Sequence, residues 1–510
     1  MNTLEYKAQL DEALLPSNSR TPDSIDDDIS PNNGECCKAT TLILVVLFVC
    51  GILAFGISVV VWHFYDIEKD VWIPHTSTMD TIGIVVVLLL CGILALGLPA
   101  AVWRYYEKLE SETSMEDDPP SEVPISDPVI ASIINSAPPV LEKRIIGYYN
   151  EFESRDIPKS QLSRLTHAIF ACVHMSEGGK IQFKDSKIEQ RFRSLNKKSK
   201  HVESDVKVMF SIGGEENSEH FSTVMGSWRR RRKFLNSILS FVKEHQIDGV
   251  NICWQQPGES NKFKYSKFIK TLRKKFEEQE KKDNKHLILS IVAPRAAVED
   301  WESGFDLDGI LEYVDFINVL SMDYYAPLPN QPAGPSAPLY SGVGPRKNFN
   351  VDYTMRYYIG ETKQPGKFNI VIPFYVRLWR NVKEKLKPDS EVFRNVELKD
   401  GKAEGDSYMS RSTVEHEGFK LTPASWDEET KTAYIYDHAA RTFLTFENEK
   451  SLGEKMKYVN AMNLGGVWIW SVHTDDENGT LLDSLISSSS LKNPTAKKNK
   501  YSRTSVLELV

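Results

Sequence analysis

The stretch "IDGVNICWQQPG", residues 247–258, decides how the chain folds. From Gly249 to Trp254 it is apolar at nearly every position, and Asp-Gly and Pro-Gly pairs bound it. Continuous rather than alternating hydrophobicity marks a strand covered on both faces, as in a parallel sheet. Just upstream, Phe234, Ile238, Phe241 and Val242 fall at helical spacing, which predicts a helix with its apolar face toward that sheet. Asn251, Cys253 and Gln255 occupy alternate positions at the strand's exit, so amides and a thiol stand where the chain is poised for chemistry.

Working outward, seven more runs of the same kind are separated by amphipathic helical patterns. They are "RIIGYY" (144–149), "HAIFACV" (167–173), "VKVMFSIGG" (206–214), "HLILSIVAP" (286–294), "VDFINVLSMD" (314–323), "FNIVIPFY" (368–375) and "GGVWIWSV" (465–472). Eight buried strands alternating with helices predict an α/β fold, a (β/α)8 TIM barrel carrying an insertion. In such barrels chemistry sits at the C-terminal strand ends. Gly213, Gly214, Trp254, Gln255, Asp323 and Trp470 should therefore converge on one cleft.

The first third of the chain has another character. Residues 1–38 are polar and acidic, without the basic start and apolar run of a secretory signal. Residues 39–62 and 81–103 are two uncharged runs, each long enough to cross a hydrocarbon layer of ~30 Å as a helix. The second repeats the first: Cys50, Gly56 and Trp62 match Cys91, Gly97 and Trp103. Transmembrane helices are thus expected ahead of the barrel, one or two in number, with Lys and Arg too sparse around them to fix orientation. Cys36 and Cys37, ahead of the first run, could be acylated on the cytosolic side. Residues 104–141, acidic and rich in serine and proline, read as a stalk, and residues 488–510 as a disordered basic tail.

At this point four motifs carry a family resemblance: "FSIGG" on the third strand, "DGVNICWQQP" on the fourth, "INVLSMDYY" on the sixth and "GGVWIWS" on the eighth. In that order they resemble glycoside hydrolase family 18, the chitinases and chitinase-like lectins, over roughly residues 142–487. The resemblance implies a small α+β insertion, about 376–445, before the last strand, and the whole pattern is similar to the membrane-anchored chitinase-like proteins of nematodes. It also implies a fourth-strand glutamate that protonates the glycosidic oxygen, assisted by aspartates at alternate positions, with the substrate's own N-acetyl group as nucleophile. Here Asp248 matches the first aspartate and Ser211, Gly213 and Gly214 the third-strand motif, while Asn251, Cys253 and Gln255 replace the next two aspartates and the glutamate. Met322 replaces the tyrosine usual before Asp323.

An amide cannot deliver a proton at neutral pH, and loss of a general acid alone costs ~10²–10⁴-fold in rate. The expectation is a catalytically degenerate barrel, not an enzyme, that binds chitin or another N-acetylglucosamine oligosaccharide. Trp470 matches the tryptophan on which the family stacks sugar; Tyr148, Trp254, Tyr375 and Trp379 lie near the same mouth, and Gln255 and Asp323 could bind hydroxyl or acetamido groups. About half of those aromatics would serve as core. An interaction or signalling module that has lost sugar binding stays open as an alternative, with a protein partner; active hydrolysis is argued against by the fourth strand. A net charge of -8 speaks against nucleic acid. No metal-ligand spacing or phosphate loop occurs, so no cofactor is expected. A disulfide between Cys172 and Cys253 is not expected, since a strand intervenes. Asn478-Gly479-Thr480 is a glycosylation acceptor pattern, and the barrel is placed on the extracellular or lumenal side of a membrane, without the sequence deciding it. "WRRRRKF", residues 228–234, reads most simply as a solvated helix face, with a heparin-like or anionic partner as the lesser alternative.

Overall fold

In the computed structural model the chain is described over residues 127–488, apart from 154, 156, 256, 297–301 and 330. The apolar runs 39–62 and 81–103 and the tail beyond 488 lie outside the described residues. Among the described residues, no helix is long and apolar enough to cross a membrane.

All eight apolar runs form strands. They are β1 (Arg144–Asn150), β2 (His167–Met175), β3 (Lys207–Gly213), β4 (Gly249–Cys253), β5 (Ile288–Ala293), β6 (Phe316–Val319), β7 (Phe368–Pro373) and β8 (Gly466–Trp470). Each pairs in parallel with the next, and β8 and β2 both pair with β1, which closes the barrel. Register sets what meets inside: Ser211 of β3 faces Asn251 of β4, which faces Ser290 of β5.

The surrounding helices include α1 (Pro128–Ser136), α2 (Ser186–Ser199), α3 (Trp228–His245), α4 (Lys262–Asp283), α5 (Val351–Thr362) and α6 (Glu449–Ala461). Helix α3 starts at the Ser227 cap and ends where Gln246 turns left-handed at φ 52°. Its inner face buries the four apolar residues that announced it, Phe234, Ile238, Phe241 and Val242. Phe234 then stacks on Phe268 of α4, ring centroids 5.2 Å apart and 9° from parallel.

One boundary differs from expectation. Residues 128–136 are not stalk: Asp127 caps the helix, Pro128 starts it, and Ile130, Ile133 and Ile134 are buried. Three isoleucines in one turn and a half make an apolar face too short to register as periodicity, yet enough to dock α1 on the barrel beside α5. Asn463 ties the following segment down, accepting from the Val140 amide at 2.9 Å. The insertion before β8 is as expected a small α+β unit. Its five-stranded antiparallel sheet includes Val376–Trp379 and Thr442–Phe446 and encloses a core of its own around Leu378, Val414 and Leu444.

Candidate functional site

The mouth of the barrel is built from the strand ends. Two glycines let β3 and β4 close up there: Gly213 sits at φ 107°, where a Cβ would come 2.1 Å from the Cys253 carbonyl oxygen, and Gly214 at φ 88° leaves room for the Cys172 sulfur. The fourth-strand side chains project inward from this junction.

Asn251 is fully buried. Its Nδ2 donates to Ser211 Oγ at 2.9 Å and its Oδ1 accepts from Ser290 Oγ at 2.8 Å, so the amide is satisfied on both sides by neutral partners. A second chain crosses the barrel from a cation: Arg144 Nε donates to Asn369 Oδ1 at 3.0 Å, Asn369 donates to Asn318 Oδ1 at 2.8 Å, and Asn318 donates to the Tyr148 hydroxyl at 2.9 Å. Cys253 is 9% exposed, and burial pushes its thiol up to about 12, although a hydrogen bond from Gln255 works the other way. It stays protonated at any physiological pH. Of the described cysteines, neither Cys172 nor Cys253 is in a disulfide. Gln255 lies half-buried just past β4, its backbone amide donating to Ser218 Oγ at 2.9 Å.

Asp323 is the carboxylate at the mouth. Burial would raise its pKa, but the Arg377 guanidinium, the Tyr375 hydroxyl and Arg295 together hold it below the usual carboxylate value. Arg377 Nη2 donates to Asp323 Oδ1 at 2.6 Å, and Tyr375 and Ser336 donate to the same oxygen. Arg295 donates to the backbone oxygens of Met322 and Asp323 at 3.0 and 2.5 Å. Met322 is buried with its sulfur 3.8 Å from the Tyr375 hydroxyl, an apolar filler beside the carboxylate.

Asp248 lies elsewhere. It precedes β4 and so sits at the opposite end of the barrel, five strand residues from the mouth at roughly 3.3 Å each. There its Oδ2 accepts from the Val208 amide at 2.7 Å and its Oδ1 pairs with Lys285 at 2.8 Å. It braces β3 against β4 and cannot reach a sugar in the mouth.

The expected aromatic platform is largely reassigned. Trp470 is partly exposed, 5.8 Å from the Tyr148 ring and 6.3 Å from Trp468, and its peptide to Ser471 is cis. Trp254 is only 2% exposed: it follows the inward Cys253, so alternation turns it outward, where it stacks on Phe221 at 5.1 Å and 13°. Trp379 is fully buried against Phe443 inside the insertion sheet. Tyr148 and Tyr375, each 2% exposed, contribute their hydroxyls to the interior networks and not their faces to the cleft. Trp254 and Trp379 are therefore corrected from sugar contacts to core.

Other residues extend the surface instead. Phe152, just past β1, is 50% exposed and meets Tyr408 edge-on at 6.3 Å. The Tyr408 ring lies 5.1 Å from that of Tyr375, and its hydroxyl reaches Ser471 Oγ at 2.7 Å, beside Trp470. Phe152, Tyr408 and Trp470 thus adjoin one another around the exits of β1 and β8. Asn478 is exposed in a turn after β8. Among the described residues no cluster of His, Cys, Asp and Glu could hold a metal ion.

A closed parallel barrel with an α+β insertion ahead of its last strand is a (β/α)8 architecture whose site lies at the C-terminal strand ends. The chain belongs to the glycosyl hydrolases family 18, whose pattern matches residues 144–475. It is 24% identical over 330 residues to human chitinase-3-like protein 2, covering 61% of this chain and 81% of that protein. Chitinase A1 of Niallia circulans is 25% identical over 325 residues, 59% of this chain but only 45% of the bacterial protein, so the chain spans less than half that relative's length. A crystal structure of YKL-39 in the presence of chitooligosaccharides superposes with a TM-score of 0.58 at 20% identity, covering 68% of this chain and 98% of that one.

Proposed function

We propose that the barrel holds chitin or a related N-acetylglucosamine glycan without hydrolysing it. The observation that carries this reading is Gln255 in the place of the family's acid. What surrounds it supports the same conclusion. Asn251 is engaged by two serines, the Cys253 thiol is held at about 12, and Asp323 is kept ionised by Arg377, so none is poised to protonate a leaving oxygen near neutral pH. Binding is supported by Trp470, whose partly open ring can stack on a pyranose, and by the relative YKL-39, whose structures were solved in the presence of chitooligosaccharides. The apolar runs 39–62 and 81–103 would anchor the chain in a membrane by one or two spans.

Calorimetric titration of chitohexaose into the protein, beside a Trp470→Ala variant, tests it. Saturable heat that the variant loses, with the hexamer recovered intact, is expected. Shorter products would overturn the inactive reading. Absence of heat would favour an interaction module, a reading to which the burial of Tyr148, Trp254, Tyr375 and Trp379 lends weight.

A further inference from the structure

One surface is left unexplained by a sugar site. Helices α3 and α4 each precede a strand and so begin on the mouth side of the barrel; they lie side by side, joined by the Phe234–Phe268 stack. Each opens with an exposed aromatic: Trp228 is 61% exposed and Phe263 75%. Neither first turn holds an acid. Instead Arg229, Arg232, Lys233 and Lys264 are all exposed within the first two turns. The helix dipole disfavours cations at this end, so the arrangement lowers the stability of both helices unless something anionic faces them. Nearby acid does little: Glu177 is taken by Arg230 at 3.1 Å, and Arg232, Lys233 and Lys264 have no ion pair among the described residues. This concentration of positive charge stands on a chain whose net charge is -8.

We propose that this patch seats on an anionic lipid surface, with Trp228 and Phe263 entering the headgroup boundary and the four cations facing lipid phosphates and carboxylates. The paired features select this partner. Exposed Trp and Phe beside Arg and Lys match an interfacial membrane surface, where the rings gain by leaving water and the cations by nearing anionic headgroups. A polyanionic glycan would use the cations and leave the rings in water. The inference rests in part on the membrane-anchor reading, because anchoring keeps the barrel next to a bilayer, and it requires the leaflet facing the barrel to be anionic. Residues 104–126 separate the second apolar run from α1's cap, and 23 residues (126 minus 103) extend to roughly 76 Å at ~3.3 Å each, ample for the mouth side to turn to the bilayer.

The test uses the full chain in nanodiscs of neutral phosphatidylcholine or with about 30% phosphatidylserine, read by hydrogen exchange. The first-turn amides of α3 and α4 lack helical acceptors and exchange fast, so docking should slow residues 228–230 and 263–265 by about ten-fold in the anionic discs only. Raised salt should remove the protection. Trp228→Ser with Phe263→Ser, and separately Arg232→Glu with Lys264→Glu, should lose it without a fall in melting temperature. Equal exchange in both discs overturns the proposal. So does protection by a soluble sulfated polysaccharide without protection by the discs, which would give the surface to a glycan. Failure of the chain to enter discs at all would be the separate failure of the anchor; sedimentation with phosphatidylserine vesicles then decides docking, pelleting supporting it and a clear supernatant overturning it.

Discussion

Replacing Arg377 by methionine should unfasten the insertion from the barrel. The guanidinium is 5% exposed and serves three segments: Asp323 after β6, the Tyr325 carbonyl, and the Ser407 carbonyl at 3.2 Å in the insertion sheet. Methionine fills similar volume but strands those acceptors. Two carbonyls deprived of a donor cost about 1 kcal/mol each. The Asp323 pair adds about 1–2 kcal/mol, discounted because 40% of that carboxylate side chain meets solvent. The expected loss is about 3–4 kcal/mol, measured by urea denaturation at pH 7. Its pH dependence has a definite sign. Asp323 is held below its ordinary value in the folded state, so its share of stability is present above the unfolded pKa of ~3.9 and fades as pH falls through the folded one. The gap between parent and variant should therefore narrow in acid. A difference under about 1 kcal/mol at pH 7, or a gap that widens on acidification, would refute the clamp.

Gln255→Glu alone should release no product from chitooligosaccharides, because Asn251, Cys253 and Met322 still lack the assisting groups; reducing-end assays that show turnover would contradict this. Gly213→Ala should be severe, about 3 kcal/mol or more by thermal unfolding, since its Cβ would lie 2.1 Å from the Cys253 oxygen at φ 107°. Gly418→Ala, at φ 85° with open space around it, should cost only about 1 kcal/mol. Iodoacetamide at pH 8 should modify the partly exposed Cys172 well before Cys253, whose thiol stays protonated up to about 12; peptide mass mapping reads the order.

The strands were legible because both-face burial writes an unbroken apolar run, and every one of the eight runs begins or ends within a few residues of a strand. The degenerate positions were legible too, since Asn251, Cys253 and Gln255 are defined by sequence spacing. Which aromatics meet the cleft was not. Trp254 and Cys253 are neighbours in sequence yet face opposite sides of the sheet, and only the register says which faces in. Arg377 was missed as the partner of Asp323 because the two lie 54 positions apart on different units. Phe152 and Tyr408 belong to a loop and an insertion strand, where no periodicity points at them. The docking of α1 was hidden by its brevity and by the acidic stretch before it.

The neutral chain inside the barrel bears on how this protein can change over generations. Ser211, Asn251 and Ser290 are linked by hydrogen bonds between uncharged groups alone. A carboxylate arriving at Asn251 alone would bring a charge into a fully buried place with no cation built to meet it, and would weaken the fold before any chemistry was gained. Placing a carboxylate at Asn251 by a single substitution thus runs uphill from the first step, because the interior there is built for neutral partners.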